Sequence, residues 1–294
     1  MPIRRQSKRY LKLAVSLLVY ALDCVWTLLR RLCGRKRNSS FVVLYYHSIM
    51  PEQRASFARQ MDALLRRATP VSAGTNPDRS TGRRYAAVTF DDAFESLIDH
   101  ALPALQCRNI PCTIFAVSET FGQAANWEDI DETHGNERIM SLTQARNVAS
   151  PLVSFGAHTL THPVLTGLDD SMANREIAGS RSRLRELVWQ EIPLFSFPYG
   201  AFNHHLVGLC RDAGYERVFT TIPAPIQSDA FVVGRTPAAP TDSRLEFHLK
   251  LSGAYRWVGM ASWLKAQARK LVRGPRISRQ QVTATRMINE KRPT

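Results

Sequence analysis

From residue 41 onward, short apolar runs alternate with amphipathic stretches along the chain. Runs rich in β-branched and aromatic residues, such as FVVLYYH at 41–47 and CTIFAV at 112–117, predict buried strands. Stretches with apolar residues at helical spacing, such as 56–67 and 171–190, predict helices between the strands. Further strands are predicted in YAAVTF, LVSFGA, LFSF, ERVFTT and FVVGR, and further helices at 94–107, 142–149, 203–213 and 243–251.

Alternating strands and helices are typical of a parallel sheet with helices packed outside it. About seven strand–helix units predict an α/β fold, a distorted TIM-barrel-like (β/α) barrel, with helical basic extensions at both ends. Polar residues follow the strands directly, among them His47, Asp91, His158 and Tyr199. In such a barrel these positions share one rim, where catalytic groups collect. We therefore expect the functional site at that rim.

The N-terminal segment contains a nearly continuous apolar run, YLKLAVSLLVYALDCVWTLL at 10–29, between basic flanks. The 17 residues from Leu13 to Leu29 span about 26 Å as a helix, at the short limit for a hydrocarbon core of ~30 Å. Its polar residues fall on one helical stripe, which suits an interfacial helix or a spanning helix whose stripe faces a partner. The sequence predicts a membrane-associating segment over 1–37, with a core helix of the soluble domain as the alternative.

The C-terminal segment, residues 253–294, is basic as well. In YRWVGMASWLKAQARKLVRG at 255–274, aromatic and apolar residues are interleaved with arginine and lysine. This pattern suits an interfacial helix or a terminal helix that packs its apolar face on the domain. The two ends leave residues 38–252 as the predicted folded domain.

The formal net charge of +14 resides at the ends of the chain. Residues 1–37 and 255–294 each hold ten Lys/Arg against one acidic residue, a net charge of +9 apiece, which leaves −4 for residues 38–254. Nucleic-acid binders usually carry their basic residues on the folded module. The distribution therefore excludes nucleic acid as the expected partner and favours an anionic membrane surface.

The five cysteines are irregularly spaced, which indicates mostly reduced thiols. They favour the cytoplasmic face of an inner membrane, with a periplasmic domain as the alternative.

Three short motifs carry candidate chemistry. In AVTFDDAFES, Asp91 and Asp92 adjoin at a strand end, where two carboxylates repel unless a cation or a shared proton relieves them. Capping of the next helix is the alternative. In SFGAHTLTHPVL, His158 and His162 lie four residues apart, which in a helix places them on neighbouring turns within reach of one ion. A pair of hydrogen-bonded structural histidines is the alternative. A carboxylate and two imidazoles suit zinc or a similar divalent ion. In FSFPYGAFN, a tight turn at Tyr199 can point a backbone N–H at an oxyanion.

In this order and spacing the motifs resemble those of the polysaccharide deacetylase family, the NodB-homology carbohydrate esterases. TFDDA at 89–93 matches the family's T-F-D-D-G, HTLTH at 158–162 matches H-[ST]-x-x-H, and PYG stands at 198–200. The resemblance covers about residues 40–250. It implies a metal-dependent hydrolase that removes N-acetyl groups from N-acetylhexosamine residues of a cell-envelope glycan or exopolysaccharide, free or lipid-linked. An O-acetyl ester deacetylase of polysaccharides and a catalytically inactive glycan-binding member are the alternatives.

Residue roles follow from the resemblance by position. It implies that Asp92, His158 and His162 hold a divalent metal ion, for which Zn²⁺ is the first choice. It implies that Asp91 is the general base for the attacking water, and that the backbone N–H of Tyr199 stabilises the oxyanion.

The sequence departs from the family's pattern at three points. Ala93 replaces a glycine, which we expect to be tolerated if the backbone there is not at positive φ. No arginine precedes P-Y-G, and Arg235 at the end of FVVGR is the candidate substitute that orients the base, with a surface arginine as the alternative. The late leucine-x-x-histidine strand that usually supplies the general acid has no clear counterpart. His47 is the candidate general acid, and His248, in a helical setting, is the alternative.

Overall fold

The computed structural model describes residues 3–35, 39–125, 127, 137–223, 230–262 and 264. Within these residues the strands are β1 (Ser40–Tyr46), β2 (Thr69–Pro70), β3 (Arg84–Asp91), β4 (Cys112–Ala116), β5 (Val153–Ala157), β6 (Leu194–Ser196), β7 (Arg217–Thr220), β8 (Val232–Gly234) and β9 (Thr236–Pro237). The helices are α1 (Ile3–Leu32), α2 (Arg54–Leu65), α3 (Ser96–His100), α4 (Leu102–Gln106), α5 (Leu142–Val148), α6 (Asp170–Val188), α7 (His204–Asp212) and α8 (Arg244–Leu251).

The described strands form one parallel sheet in the order β8-β7-β6-β5-β4-β3-β1-β9, with β2 beside β3. Only Arg235 separates β8 from β9 along the chain. The first half of this extended segment pairs with β7 and the second half pairs with β1. The segment therefore joins the two ends of the sheet and closes it into a distorted (β/α) barrel, which confirms the fold class that the alternation of elements predicts.

The strand period of two decides which side chains face the inside of this barrel. Val43, Ala87, Phe115, Leu194, Phe219 and Val233 form a buried cluster together with Ala73. The side chains two positions further along the strands lie on the same face, nearer the carboxyl rim: Tyr45, Thr89, Ser196 and Arg235, with Asp91 and His158 in the same phase. An apolar plug therefore closes the barrel below a polar rim.

The helices pack on the outer face of the sheet. On α2, Phe57, Met61 and Leu64 are buried at helical spacing, and α6 buries Ile177 and Leu184 in the same way. These residues join a single large cluster with the outward-facing residues of the strands. The helical layer thus covers the second face of the strands, as both faces of a parallel sheet require.

Two details of the secondary structure differ from the sequence-based expectation. The helix predicted over 94–107 is divided into α3 and α4, because Pro103 has no N–H to donate back to the turn before it. The strands β2 and β9 have two residues each, which is too few for an alternation of apolar and polar residues to predict them. β9 in particular is defined only by its pairing with β1.

The segments that precede and follow the barrel strands along the chain pack against each other. α1 lies against α8 and against the short 3-10 helix Ala254–Arg256, where Ala254 and Tyr255 are buried with Leu249. The packed part of the chain therefore continues beyond residue 252. Trp263 and residues 265–294, which carry most of the basic charge predicted for the C-terminal tail, lie outside the described residues.

Candidate metal centre and active site

Three buried polar side chains meet at the carboxyl rim of the barrel. Asp92 follows β3, and His158 and His162 follow β5. Oδ1 of Asp92 lies 3.7 Å from Nε2 of His158 and 3.5 Å from Nε2 of His162. The three candidate ligand atoms lie within 4.8 Å of one another, and each residue is exposed by 6% or less. The sequence-predicted ligands are thus brought together at one point.

This cluster has the properties of a cation site. Oδ1 of Asp92 is buried and has no hydrogen-bond partner among the described residues, which is costly for a carboxylate oxygen. Burial, reinforced by the neighbouring charge of Asp91, raises the pKa of Asp92 well above its ordinary value. A divalent cation between one carboxylate and two imidazoles removes this penalty, and the donor set is one that zinc accepts.

Both histidines are held as neutral imidazoles, the form that can bind a cation. Nδ1 of His158 lies 2.7 Å from the carbonyl oxygen of Ser196, so it donates its proton there and leaves the lone pair of Nε2 facing Asp92. Nδ1 of His162 lies 3.2 Å from Oη of Tyr199. Burial lowers the pKa of His158 to about 4 and that of His162 to about 2. Neutral imidazole is the form that binds a metal.

A glutamate on α6 holds the loop that carries the two histidines. Oε2 of Glu176 accepts hydrogen bonds from the backbone N–H groups of Leu160 (2.8 Å) and Thr161 (3.1 Å), and Oε1 accepts one from the Thr161 hydroxyl (2.8 Å). Inside the loop, the N–H of His162 donates to Oγ1 of Thr159 at 2.9 Å. The loop conformation is therefore fixed from a neighbouring helix as well as internally.

Beside the metal cluster, Arg235 and Asp91 form a fully buried bidentate pair. The guanidinium Nη1 donates to Oδ1 of Asp91 at 2.6 Å and Nη2 donates to Oδ2 at 2.7 Å. Nη2 also donates to Oγ of Ser196 at 2.7 Å, and Nη1 to Oγ1 of Thr89 at 3.2 Å. Arg235 is 0% exposed and lies 4.7 Å from the ring centre of Tyr45. It is therefore not a surface arginine: it contacts the carboxylate that the sequence analysis expected it to orient.

The arginine decides the charge of Asp91. Burial alone raises the pKa of this carboxyl, but the charge and hydrogen bonds of Arg235 outweigh burial and lower the pKa to about 2. Asp91 is consequently ionised at neutral pH, with one face against the guanidinium.

The turn at 198–200 places Tyr199 next to the cluster. The Tyr199 ring centre lies 4.7 Å from that of His162. Tyr199 has φ 57 and Gly200 has φ 65, and a Cβ at Gly200 would overlap the hydroxyl of Thr221. Glycine at this position therefore permits the turn to approach the strand that follows.

Of the two candidate acids, His47 lies near the cluster. It follows β1 at the carboxyl rim, and its charge lowers the pKa values of Asp91, His158 and His162. His248 lies on α8, with its ring centre 4.9 Å from that of Tyr20 on α1. It lines a cleft between α2 and α8 instead of the rim.

The backbone around the motifs is strained. Among the described non-glycine residues, positive φ values cluster in the three motifs: Asp92, Ala93, Thr159, His162 and Tyr199. Such conformations concentrate at functional sites. Ala93 has φ 57, so the condition under which we expected the replacement of glycine to be tolerated is not met. The alanine methyl group carries the steric cost of a left-handed backbone.

Three contributors to the site have no sequence signal of their own. Ser196 and Glu176 are common polar residues whose roles depend on the side chains that the fold places beside them. Trp127 belongs to an acidic stretch of the sequence after β4, GQAANWEDIDETHGNER at 122–138. Its ring centre is 4.4 Å from that of His162, with the rings 31° apart. In the sequence, a tryptophan among loop residues is equally consistent with an exposed loop and with a side chain that lines the site. Only the fold shows that Trp127 contacts His162.

Part of the chain is similar to one family of known proteins. A family model of polysaccharide deacetylases matches residues 78–218. The chain is 23% identical over 152 residues to YxkH of Bacillus subtilis (strain 168), whose name assigns it provisionally to the polysaccharide deacetylases. That match covers 52% of this chain and 50% of YxkH, so this chain spans about half the length of its curated relative.

Solved structures share the barrel. IcaB from Ammonifex degensii has a TM-score of 0.61 at 24% identity, over 74% of this chain and 98% of its own. A de-N-acetylase from Aggregatibacter actinomycetemcomitans has a TM-score of 0.59 at 14% identity, over 71% and 99%. At these identities the likeness establishes the common fold.

Proposed function

We propose that the chain is a metal-dependent hydrolase of acetylated glycans, because a family model of polysaccharide deacetylases matches its residues 78–218 and the chain is 23% identical over 152 residues to YxkH. The substrate is an N-acetylhexosamine-containing cell-envelope glycan or exopolysaccharide, free or lipid-linked, and the bond broken is the N-acetyl amide. The single observation that carries the proposal is the adjacency of two buried units: the Asp92–His158–His162 cluster and the Asp91–Arg235 pair.

We assign Asp92, His158 and His162 as the metal ligands, with Zn²⁺ as the expected ion. A divalent ion held there supplies a Lewis acid that polarises the acetyl carbonyl and makes water a stronger nucleophile. Trp127 and Tyr199 flank His162 and fix its ring against rotation. The neutral state of both imidazoles leaves their nitrogens available to the ion.

The remaining groups move protons and stabilise charge. Asp91 is ionised beside Arg235, so it accepts the proton of the attacking water. His47 at the rim donates a proton to the leaving amine. The backbone N–H of Tyr199 stabilises negative charge on the acetyl oxygen. Arg235 is a positioning residue, because it holds Asp91 and has no exposed surface of its own that a substrate could contact.

The choice of an amide over an ester rests on the resemblance of the three motifs to those of the polysaccharide deacetylases. The Aggregatibacter actinomycetemcomitans neighbour is described as a de-N-acetylase. A metal ion at this cluster would assist the hydrolysis of an amide and of an ester alike, so O-acetyl ester deacetylation is the other activity to be tested. We place the enzyme at the inner membrane, because α1 is long and apolar enough to cross or enter a bilayer and the chain ends are basic.

Acetate release tests this function. Wild type, Asp91→Asn and a control variant, Asp62→Asn, are each loaded with zinc and incubated with N-acetylglucosamine oligomers. Asp62 pairs with Arg108 at 2.7 Å and is 42% exposed, so its amide leaves the rim untouched. We expect wild type and Asp62→Asn to release acetate at similar rates, and Asp91→Asn to lose about 10³-fold or more, as expected for removal of a base.

The outcomes separate the alternatives. Acetate released only from O-acetylated glycans assigns the ester activity. Unchanged release by Asp91→Asn refutes the assignment of the base. Zinc binding without release from any acetylated glycan identifies a catalytically inactive member.

A further inference from the structure

The long first helix has an unusual orientation on the domain. Its inward residues recur at helical spacing: Leu13, Val15, Ser16, Val19, Tyr20, Asp23, Thr27 and Arg30 are partly or fully buried. Half of this stripe is polar: Ser16, Asp23, Thr27 and Arg30. Ser16 is fully buried, with 0% exposure. The helix thus turns its polar stripe toward the protein.

Specific polar contacts fasten this stripe to α8 and the segment after it. Nε and Nη2 of Arg9 donate to Oε2 of Glu246 at 2.9 and 2.6 Å. The indole Nε1 of Trp257 donates to Oγ of Ser16 at 2.9 Å. The contacts involve both the early and the later turns of the helix.

A bidentate ion pair completes the attachment. Nη1 and Nη2 of Arg256 donate to Oδ2 and Oδ1 of Asp23 at 2.7 and 2.6 Å. Around these bonds, Leu13, Val19 and Tyr20 pack on the small cluster of Leu249, Ala254 and Tyr255. The charge of Asp23, the acidic residue within the apolar run, is therefore neutralised by Arg256 of the domain.

The opposite side of α1 is apolar and open to solvent. Leu11, Leu17, Leu18, Leu22, Val25, Trp26, Leu28, Leu29 and Leu32 are each 46–76% exposed. Between Lys12 and Arg30 this side carries no charged residue. Isolated exposed leucines are ordinary on a soluble protein, but a continuous row over five turns marks an interaction surface.

The charges flanking this row identify the occupant. Residues 1–12 contribute five Lys/Arg and residues 30–37 contribute five more, with no acid in either stretch. Met260 and Leu264, which follow the Trp257 contact, are exposed as well. An apolar row between cationic ends fits acyl chains between anionic headgroups, whereas a protein partner of that length would need matching acids at both ends.

We infer that α1 is a monotopic membrane-binding face: it lies along the bilayer surface with its apolar row in the lipid while its polar stripe stays bonded to the domain. A spanning helix must leave the domain, since the domain cannot follow it into the hydrocarbon. Spanning therefore breaks the Arg9–Glu246 and Asp23–Arg256 pairs and places Asp23 in the bilayer without its partner, at a large cost.

A basic cleft adjoins the proposed surface. It lies between α2 and α8, has a volume of about 730 Å³, and is lined by Arg59, Arg66, Arg67 and Arg244. Its two acids, Asp62 and Asp242, are paired with Arg108 and Lys250. His248 lines this cleft and contacts Tyr20 of α1. Positive charge thus continues from the helix onto the neighbouring surface, as anionic headgroups require.

Cysteine accessibility distinguishes the two membrane arrangements. In full-length protein with Cys24 and Cys107 replaced by serine, a membrane-impermeant maleimide is applied to sealed membrane vesicles, with the native Cys33 or an introduced Gln6→Cys as the reporter. A monotopic helix exposes both positions on one side, so both label to the same extent before lysis. Labelling of one position before lysis and of the other only after it establishes a spanning helix and overturns the inference.

Vesicle binding tests the apolar row itself. Leu18→Glu with Leu22→Glu is compared with Met172→Glu with Trp189→Glu, which adds the same charge at exposed positions in the first turn of α6 and directly after its end. On vesicles of phosphatidylcholine and phosphatidylglycerol we expect the first variant to bind at least ~100-fold more weakly and the control to bind like wild type. Equal binding by all three proteins refutes the surface, and circular dichroism shows that each is folded.

A charge swap tests the docking. Asp23→Arg alone opposes Arg256 and should lower the melting temperature, whereas Asp23→Arg with Arg256→Asp restores the pair and should recover most of the loss. A double variant as unstable as the sum of its single variants means that α1 is not bonded to the domain in solution, and the inference fails.

Discussion

At the scale of single residues, the Asp91–Arg235 pair combines a large desolvation cost with close hydrogen bonding. Five hydrogen bonds satisfy the guanidinium of Arg235 inside the barrel, above the apolar plug. A buried pair of this kind is expensive to break from one side, because the remaining charge is left without a partner. We therefore expect the pair to stabilise the barrel interior as well as to orient Asp91, the proposed base.

We predict that Arg235→Met lowers the free energy of unfolding by about 3–5 kcal/mol, because it leaves the Asp91 carboxylate buried and unpaired. Arg108→Met is the control, since the Arg108–Asp62 pair is partly exposed and contributes about 0–1 kcal/mol. Denaturant titration of both variants measures the difference. Similar losses in the two variants contradict the description of Arg235 as a buried partner.

Ala93 pays a conformational cost that glycine avoids. With φ 57 its backbone is left-handed, which costs about 1–2 kcal/mol for a residue with a Cβ. In Ala93→Gly the relief of this strain is partly offset by the greater backbone entropy of glycine in the unfolded chain and by the loss of the methyl group's contacts. We predict that the free energy of unfolding stays unchanged or rises by up to about 1 kcal/mol. Ala58→Gly in α2 is the matched change and should lower it by about 1 kcal/mol. Equal destabilisation by both changes, measured by thermal unfolding, rules out strain at position 93.

At the scale of elements, β4 and β5 interlock through Gly156. A Cβ at this position would lie 2.5 Å from Cε1 of Phe115 and 3.1 Å from the carbonyl oxygen of Leu194. Phe115 fills the barrel interior and is fully buried, so it has little room to move aside. The glycine therefore lets one aromatic ring close the barrel below the rim.

We predict that Gly156→Ala destabilises the protein by about 1–3 kcal/mol through overpacking. Gly208→Ala in α7 is the control: a Cβ there meets nothing within 4 Å, and alanine is the better helix residue by up to about 1 kcal/mol. Opposite signs for the two variants are expected in chemical denaturation. A neutral Gly156→Ala would mean that Phe115 repacks freely.

α6 supports the histidine loop through one side chain, Glu176. We predict that Glu176→Gln weakens zinc affinity by about 10–100-fold, because partners of the ligand loop are worth that much at metal sites, while the fold remains intact. Glu186→Gln, an exposed change on the same helix, should leave affinity unchanged. Competition with a chromophoric chelator gives the affinities. Equal affinity in both variants shows that the loop holds its shape without α6.

At the scale of the whole molecule, the proposed metal ligands follow β3 and β5, so we expect metal binding to be coupled to the stability of the barrel. We predict that zinc at about a hundredfold excess over its Kd adds about 2.7 kcal/mol to the stability of wild type, and that a chelator removes this gain. His158→Ala should show no such shift, whereas His205→Ala, an exposed histidine paired with Asp170, should respond like wild type. A zinc-dependent rise in melting temperature for His158→Ala places the ion elsewhere.

The sequence by itself determined the order of strands and helices and the three motifs. These are local properties: the period of apolar residues fixes the element type, and the strand period of two assigns Asp91 and His158 to one face. The alternation of elements in turn implied the barrel and its catalytic rim, because parallel strands bring their carboxyl ends together.

Only the tertiary structure decided which residues from distant segments share a contact. The closure of the barrel through the segment around Arg235, and with it the pairing to Asp91, depends on strands more than 140 residues apart along the chain. The left-handed backbone at Ala93 and the inward direction of the polar stripe on α1 are likewise invisible to composition. Such features depend on the environment that the rest of the fold builds around a residue, and no local pattern encodes that environment.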